Sequence, residues 1–169
     1  MSRSLLLAFA ALIGSLASLG CGQRGANTHA GVSSGDARYL LSAEPAQAIG
    51  VVDFKEQAKS GDTVTVVGRI GGGVKPWIEG RSAFLLVDSG APLPCADDQC
   101  GPDCQHCAQE IAECTTVVKF VDDQGKTLAV DSRELLGIKE EDDVVVQGIA
   151  KRDEAGNVAL VASGIYIKR

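Results

Sequence analysis

The sequence predicts an all-β domain in the form of a small closed barrel of five strands. The 169 residues supply one domain's worth of chain, and hydrophobic residues make up 45% of it while aromatic residues reach only 4%. Aliphatic, β-branched runs are typical of strands, and the 20 glycines suit many tight turns. This composition excludes a disordered chain, a coiled coil, a collagen-like repeat and a multi-span membrane protein.

The individual elements follow from hydrophobic periodicity and turn residues. Val51, Phe54 and Ala58 recur at helical spacing and predict a short helix. Ser132 as a helix N-cap and Gly137 as a stop predict a second one. The predicted strands cover residues 63–71, 82–88 and 115–122, the last turning into 127–130, and then 143–151 and 158–167, which form a hairpin.

The order of these elements is three strands, a short helix and two strands. Gly68 lies inside the first strand, where a strand that serves two sheets must bend sharply. This order is that of a five-stranded OB-type (oligonucleotide/oligosaccharide-binding) Greek-key barrel. A sandwich usually needs about seven strands and fits less economically. The barrel domain is expected over residues 49–169, with the short N-terminal helix at its start and a Cys-rich insert, residues 90–114, between strands two and three.

The N-terminus has the pattern of an export signal. Residues 1–20 contain Arg3, an apolar run and small residues, which is the pattern of a secretory signal peptide. The run Leu16–Cys21 resembles the bacterial lipobox, although Ser18 stands where Leu is usual. We expect Cys21 to be lipidated, so that membrane lipid is a partner through the acylated N-terminus; the alternative is ordinary signal-peptidase cleavage with an incidental thiol.

A flexible, lipid-anchored tether is expected over residues 21–48, which are rich in Gly, Ser and Ala. The expected location is therefore the cell envelope, on the periplasmic side or at the outer membrane. Because Arg3 is the one charged residue of the first 20, the mature chain keeps 22 acidic and 15 basic residues, a net charge of −7. A general nucleic-acid binder normally has a basic footprint, so this charge disfavours nucleic acid as a partner.

The insert holds five of the six cysteines of the chain, with one histidine among them. Their spacing is C-x4-C-x3-C-x2-C-x6-C, and the residues are Cys95, Cys100, Cys104, His106, Cys107 and Cys114.

Three interpretations of this insert stay open. Export favours disulfides that staple a long loop, with one thiol left over because the count is odd. Four thiolates, or a set including His106, would suit zinc or another thiolate-bound metal such as Cu(I) or an Fe–S cluster. Cys104 and Cys107 also have the C-x-x-C form of a redox pair, but without the βαβ setting of thioredoxin-like proteins.

A candidate ligand site lies in the loop after the first strand. OB barrels bind ligands on the face of strands two and three and through neighbouring loops. Arg69, Lys75 and Arg81 supply cations there, and Trp77 supplies a ring for stacking. The alternative is a solvated loop in which Trp77, between Pro76 and Ile78, plugs one end of the barrel.

Several strings of the chain resemble a family of small exported bacterial proteins with a nucleic-acid-binding-type OB fold and a Cys-rich insert, a family without an assigned function. The similarity extends over roughly residues 50–169, and its strings are residues 62–72, 77–84, 143–148 and 162–167. The resemblance implies an OB barrel and export. The family's insert often ends in adjacent cysteines, which this chain lacks, so no metal site is carried over from it.

No complete catalytic constellation is present. The two histidines, His29 and His106, lie in the tether and the insert, and Gly71–Gly73 lacks the Lys-Ser/Thr of a phosphate-binding loop. The sequence therefore predicts a non-enzymatic envelope lipoprotein that binds a protein or glycan ligand at the first-strand loop and the insert. The alternatives are a metal-binding or thiol-redox protein that uses Cys95–Cys114, and a nucleic-acid-binding OB protein.

Overall fold

The computed structural model describes residues 36–72, 75–90 and 105–169. Within the last range, residues 105–108 are described by their backbone alone. Within these ranges the chain is mostly sheet, and its five strands close into a barrel in the order β1-β2-β3-β5-β4. All neighbouring strands are antiparallel except β3 and β5, which are parallel. The elements are α1 (Val51–Gln57), β1 (Thr63–Ile70), β2 (Ala83–Val87), α2 (Gln105–Cys114), β3 (Thr115–Phe120), α3 (Ser132–Leu136), β4 (Asp143–Arg152) and β5 (Val158–Ile167).

The predicted closed five-stranded barrel is confirmed, and both predicted short helices form. Two details differ. The N-cap of α3 is Asp131, one residue before the expected Ser132, because the Asp131 carboxylate accepts the backbone N–H of Arg133. The ten-residue helix α2, at the end of the Cys-rich insert, was not predicted. In the described part of the chain, no helix is long and apolar enough to cross a membrane.

The core is aliphatic with three phenylalanines, Phe54, Phe84 and Phe120, each fully buried. Helix α1 inserts Val51 and Phe54 into this core. Helix α3 inserts Leu135 and Leu136 and leads into the start of β4, whereas α1 lies beside the end of β4. The two helices therefore cover the barrel near opposite ends of that strand.

Two turns of the chain are built alike and lead into neighbouring strands. In Lys59–Asp62 and in Lys139–Asp142, the final aspartate accepts the first lysine's backbone N–H at 2.8 Å. The third residue of each turn has a positive φ, 99° at Gly61 and 69° at Glu141. The strands that follow, β1 and β4, are antiparallel neighbours, and Val66 lies opposite Val146. Val66 follows its turn at the same distance as Val146 follows the other turn, so the two residues, like the two turns, are 80 positions apart in the chain.

The same 80-residue offset relates the two glycines at which neighbouring strands approach most closely. A Cβ at Gly68 would lie 2.6 Å from the carbonyl oxygen of Val87, and a Cβ at Gly148 would lie 2.3 Å from that of Val161. The bend predicted at Gly68 therefore has a counterpart in β4, where the register with β5 shifts between Gln147 and Gly148. Helix–turn–strand units of similar design thus begin both halves of the barrel.

Residues 36–50 pack along the barrel, although most of them were assigned to the tether. Leu40 pairs with Ile165 beyond the point where β3 leaves β5, and Ile49 pairs with Val66 on the part of β1 that β2 does not reach. The Tyr39 ring meets Phe120 edge-on, with centroids 4.9 Å apart. This segment satisfies strand edges that would otherwise be open. Of the expected tether, residues 21–35 lie outside the described residues.

Candidate functional site

The four residues predicted to bind a ligand do not share one cavity. The Arg69 guanidinium pairs with the Asp143 carboxylate across β1 and β4 at 3.1 Å, so its charge is already matched. Lys75 is exposed. Trp77 is half-buried and packs against the core residue Phe84, with ring centroids 6.3 Å apart. Arg81 is exposed and lines one of the cavities described below.

The outer side of Trp77 is also occupied. The Arg133 guanidinium lies 5.4 Å from the centre of the Trp77 ring and bonds to the carboxylates of Asp131 and Glu79, at 2.8 and 2.9 Å. The hydrogen bond and charge of Arg133 lower the pKa of Asp131 from 3.8 to about 2. With Phe84 near the ring and Arg133 over it, Trp77 closes the barrel wall, which fits the plug alternative better than a free stacking platform.

The described residues include one of the predicted cysteines with its side chain, Cys114, which is half-buried and has a free thiol. His106 and Cys107 lie in the first turn of α2, and only the backbone of these two residues is described. Seven residues of helix put Cys107 and Cys114 about 10 Å apart along the helix axis, too far for a disulfide between the two. Cys21, Cys95, Cys100 and Cys104 lie outside the described residues, so their predicted roles stay predictions.

A metal site was the second prediction for these residues. Among the side chains that the structure describes, no three His, Cys, Asp or Glu groups lie close enough to hold a metal ion. The predicted thiolate site requires the cysteines of residues 95–107 and stays untested.

A groove of about 740 Å³ lies on the outer surface of the barrel. Its floor is formed by β2, β3 and the start of β5, and α1, α2 and the β4–β5 turn form its walls. This volume is in the range typical of small-molecule sites. The principal lining residues are Lys55, Leu85, Ile111, Thr115, Val117, Lys119, Lys151, Arg152, Asp153, Val158 and Ala159.

The strand register explains the apolar floor. Leu85 lies opposite Val117, and Val117 lies opposite Ala159, so outward-facing side chains of three strands form one row. Lys151 of β4 continues that row beside Ala159. Each of the three apolar residues is half-buried, and the inward-facing residues next to them are buried in the core. A row of aliphatic side chains thus remains on the outside of the barrel.

Two of the cations along the groove are used by the fold itself. The Lys55 ammonium donates to the carbonyl oxygens of Ala112 and Thr115, and so binds α1 to the C-terminal end of α2. Burial lowers the pKa of Lys55, an effect that electrostatic interactions with Cys114 and Glu113 partly oppose.

Arg152 is the second structural cation. Its guanidinium donates to the carbonyl oxygens of Lys55, Ala58 and Gly156, at 2.9, 3.1 and 2.8 Å, and so fixes the β4–β5 turn to α1. These bonds keep the two walls of the groove in place.

Within the part of the chain that the structure describes, two other lysines of the groove have no partner for their ammonium groups. Neither Lys119 nor Lys151 forms an ion pair or side-chain hydrogen bond with the described residues. On β5, Lys119 lies opposite Val161 and Lys151 opposite Ala159, so both lysines face outward on either side of that strand. Strand spacings place their Cα atoms about 12 Å apart, within reach of one anionic group for two flexible side chains.

A second cavity, of about 270 Å³, continues the groove beyond Lys119. It shares Val117 and Lys119 with the first cavity and adds the cations Arg81 and Lys126 beside the exposed Ile78. Together the two cavities are lined by six cationic side chains and one carboxylate, that of Asp153, in a chain whose net charge is −6. The surface of an acidic protein is thus locally basic along this groove.

The groove residues on β3 and β4 were missed in the sequence. Lys119 and Lys151 are 32 positions apart, and only the pairing of both strands with β5 brings them onto one face. The available signal was the alternation of β3, in which Val117 and Lys119 occupy the outward positions of an otherwise buried strand. No protein-family model matches the chain, and a search of curated proteins found no match.

Proposed function

We propose that this chain is an exported, lipid-anchored envelope protein whose OB-type barrel binds an anionic ligand in the groove outside β2 and β3. The observation that carries the proposal is the clustering of cationic side chains along the groove, with Lys119 and Lys151 unpaired among the described residues of an acidic chain. A site of one charge sign selects ligands of the opposite sign.

The position of the groove supports the OB-type assignment. In OB barrels the ligand contacts strands two and three and the loops after strands one and four. Here β2 and β3 form the floor, the β4–β5 turn forms one wall, and Gly72 of the β1–β2 loop contributes to the lining. The short helix α3 between β3 and β4 and the parallel contact of β3 with β5 agree with the same topology. The resemblance to the exported OB family and the lipobox at Cys21 support the envelope location.

The groove does not favour nucleic acid. Proteins that hold single strands stack bases on aromatic side chains, and none of the residues named for the two cavities is aromatic. The net negative charge also opposes a polyanion outside the groove. The non-enzymatic binding role therefore remains the proposal, with nucleic acid as its alternative.

A charge-reversal experiment tests the proposal. The protein is residues 21–169 with Cys21→Ser, so that no lipid is attached, and the probe is butyl phosphate in an NMR titration. We expect saturable amide shifts at Val117, Lys119 and Ala159, and at least a tenfold loss of affinity in Lys119→Glu/Lys151→Glu. The control Lys59→Glu/Lys139→Glu changes the net charge equally outside the groove and should retain affinity. Absence of shifts, or equal losses in both variants, would overturn the proposal.

The metal or redox alternative for the insert has its own test. Elemental analysis and thiol counting on protein isolated from an oxidising compartment separate the three interpretations. Stoichiometric metal with unbridged thiols supports a metal site, whereas no metal and one free thiol supports two structural disulfides. Reversible oxidation of Cys104 and Cys107 alone would support the redox pair.

A further inference from the structure

We infer that the groove takes an anionic amphiphile, a single molecule with an aliphatic chain on the apolar floor and a phosphate or carboxylate group between Lys119 and Lys151. The inference rests on the proposed anion-binding function and names the class of ligand. It follows from the aliphatic side chains of the floor and from the absence of unpaired backbone groups there among the described residues.

The floor offers aliphatic surface. Leu85, Val117 and Ala159 form a continuous row across three strands, and Ile111 of α2 flanks it. All of these side chains are saturated hydrocarbons, whereas the neighbouring Thr115 carries a hydroxyl group. Contact with such a surface is favourable in proportion to the apolar area that leaves water, which suits an alkyl chain better than a sugar or a base.

The floor lacks free backbone groups for an extended peptide. Leu85, Val117 and Ala159 lie within paired stretches of β2, β3 and β5. Peptides that add to a sheet obtain their affinity from unpaired main-chain groups at an edge. This part of the barrel has no such edge among the described residues, so a ligand must bind through side-chain contacts. An acidic peptide is therefore disfavoured relative to an amphiphile.

The charges place the anionic head. Lys55 and Arg152 are held by carbonyl oxygens, and Asp153 lies at the β4–β5 turn, where its hydrogen bonds with Asn157 lower the pKa of its carboxyl. Among the described residues that line the larger cavity, the ammonium groups without an ion pair or side-chain hydrogen bond are those of Lys119 and Lys151, on the two sides of β5. With the head group between these two lysines, the alkyl chain of the ligand would lie along the row from Ala159 to Leu85, away from the Asp153 carboxylate.

The concave shape points to one bound molecule and not to a membrane surface. Helices α1 and α2 and the β4–β5 turn rise around the floor, and Arg152 and Lys55 fix them to one another. Because these walls stand higher than the apolar floor, a flat bilayer surface would contact the walls and not the floor residues. The occupant is therefore a monomeric amphiphile, taken up from solution or out of a membrane.

The test compares chain lengths with the same head group on the Cys21→Ser protein. We expect decyl phosphate, below its micelle concentration, to bind about 50-fold more tightly than butyl phosphate, as six half-buried methylene groups would give. Val117→Thr should reduce the ratio of decyl phosphate affinity to butyl phosphate affinity at least fivefold. Val67→Thr, a matched change of a half-buried valine on β1 outside the lining, should leave that ratio unchanged.

Four outcomes would overturn the inference. Equal affinities for butyl and decyl phosphate would leave anion binding intact and refute the amphiphile. An acidic peptide or an oligonucleotide that binds more tightly than decyl phosphate and depends on Lys119 would assign the groove to that class. Sedimentation with anionic vesicles, lost in Lys119→Glu/Lys151→Glu and without uptake of a single lipid, would assign it to a membrane surface. If neither phosphate binds, the proposed function fails as well.

Discussion

Replacing Gly148 by alanine should destabilise the barrel more than any other single-methyl addition considered for it. The new Cβ would lie 2.3 Å from the carbonyl oxygen of Val161, 2.9 Å from its carbonyl carbon and 3.0 Å from the Cα of Ala162. All three atoms belong to the β5 backbone, so no side-chain rotation relieves the contact. Overpacking costs about 1–3 kcal/mol where neighbours can adjust; here we expect about 3 kcal/mol or more.

The chain offers a closely matched control. A Cβ at Gly71 would meet the Val87 Cγ1 atom at 3.7 Å, an ordinary contact, and the φ of Gly71 is not positive. Gly71→Ala should therefore change the free energy of unfolding by less than about 0.5 kcal/mol, or stabilise slightly by restricting the unfolded chain. Gly68→Ala, whose Cβ meets the Val87 carbonyl oxygen at 2.6 Å, should resemble Gly148→Ala.

The assay is urea unfolding of the three variants, followed by far-ultraviolet circular dichroism. With a slope of about 2 kcal/mol per molar urea, a loss of 3 kcal/mol moves the midpoint down by about 1.5 M. The steric argument fails if Gly148→Ala unfolds within 0.5 M of the parent protein. It also fails if Gly71→Ala is as damaging as Gly148→Ala, because methyl addition itself would then be the cause.

Three further predictions concern turns and charged side chains of the barrel. Glu141→Gly should raise the urea midpoint, because Glu141 holds a φ of 69° at a cost of about 1 kcal/mol. Gly61→Ala should lower the midpoint by a similar amount, because Gly61 has a φ of 99°. Midpoint shifts of the same sign in both variants would contradict this reasoning. Asp131→Asn should lose about 1 kcal/mol at pH 6, after allowance for solvent around the half-exposed Arg133. Because the pKa of Asp131 is lowered from 3.8 to about 2, its contribution is complete above pH 4 and lost as pH falls through 2, so the two unfolding curves should converge there; a constant gap would refute the assignment. Arg152→Met should cost about 2–3 kcal/mol and shift the amide signals of α1, since three carbonyl bonds are lost; unchanged α1 signals would contradict that role.

The strands could be predicted because their periodicity is local. In β3 the buried and half-buried residues alternate without exception, and β1 and β5 do so over most of their lengths. Helix α2 was not predicted because the cysteine spacing of residues 95–114 favours a stapled or metal-binding loop. Its helix-forming residues include Gln109 and Glu113, whose side chains bond at the i, i+4 spacing. The packing of residues 36–50 was missed for another reason: single residues such as Leu40 and Ile49 fill gaps at strand edges, and no repeat in the sequence marks such contacts.

The candidate site was less predictable because charges near one another in sequence need not act together. Arg69 and Trp77 were grouped by proximity in the chain, yet pairing of β1 with β4 gives Arg69 the Asp143 carboxylate, and Arg133 covers Trp77. Lys119 and Lys151 instead remain unpaired among the described residues, because their neighbours across β5 are Val161 and Ala159, which carry no charge. A cation with an apolar neighbourhood is costly to leave unmatched only if it is buried, and both ammonium groups extend from outward-facing positions. The barrel can therefore hold two unmatched charges over an aliphatic floor at little cost to its stability, and that combination is available for a ligand.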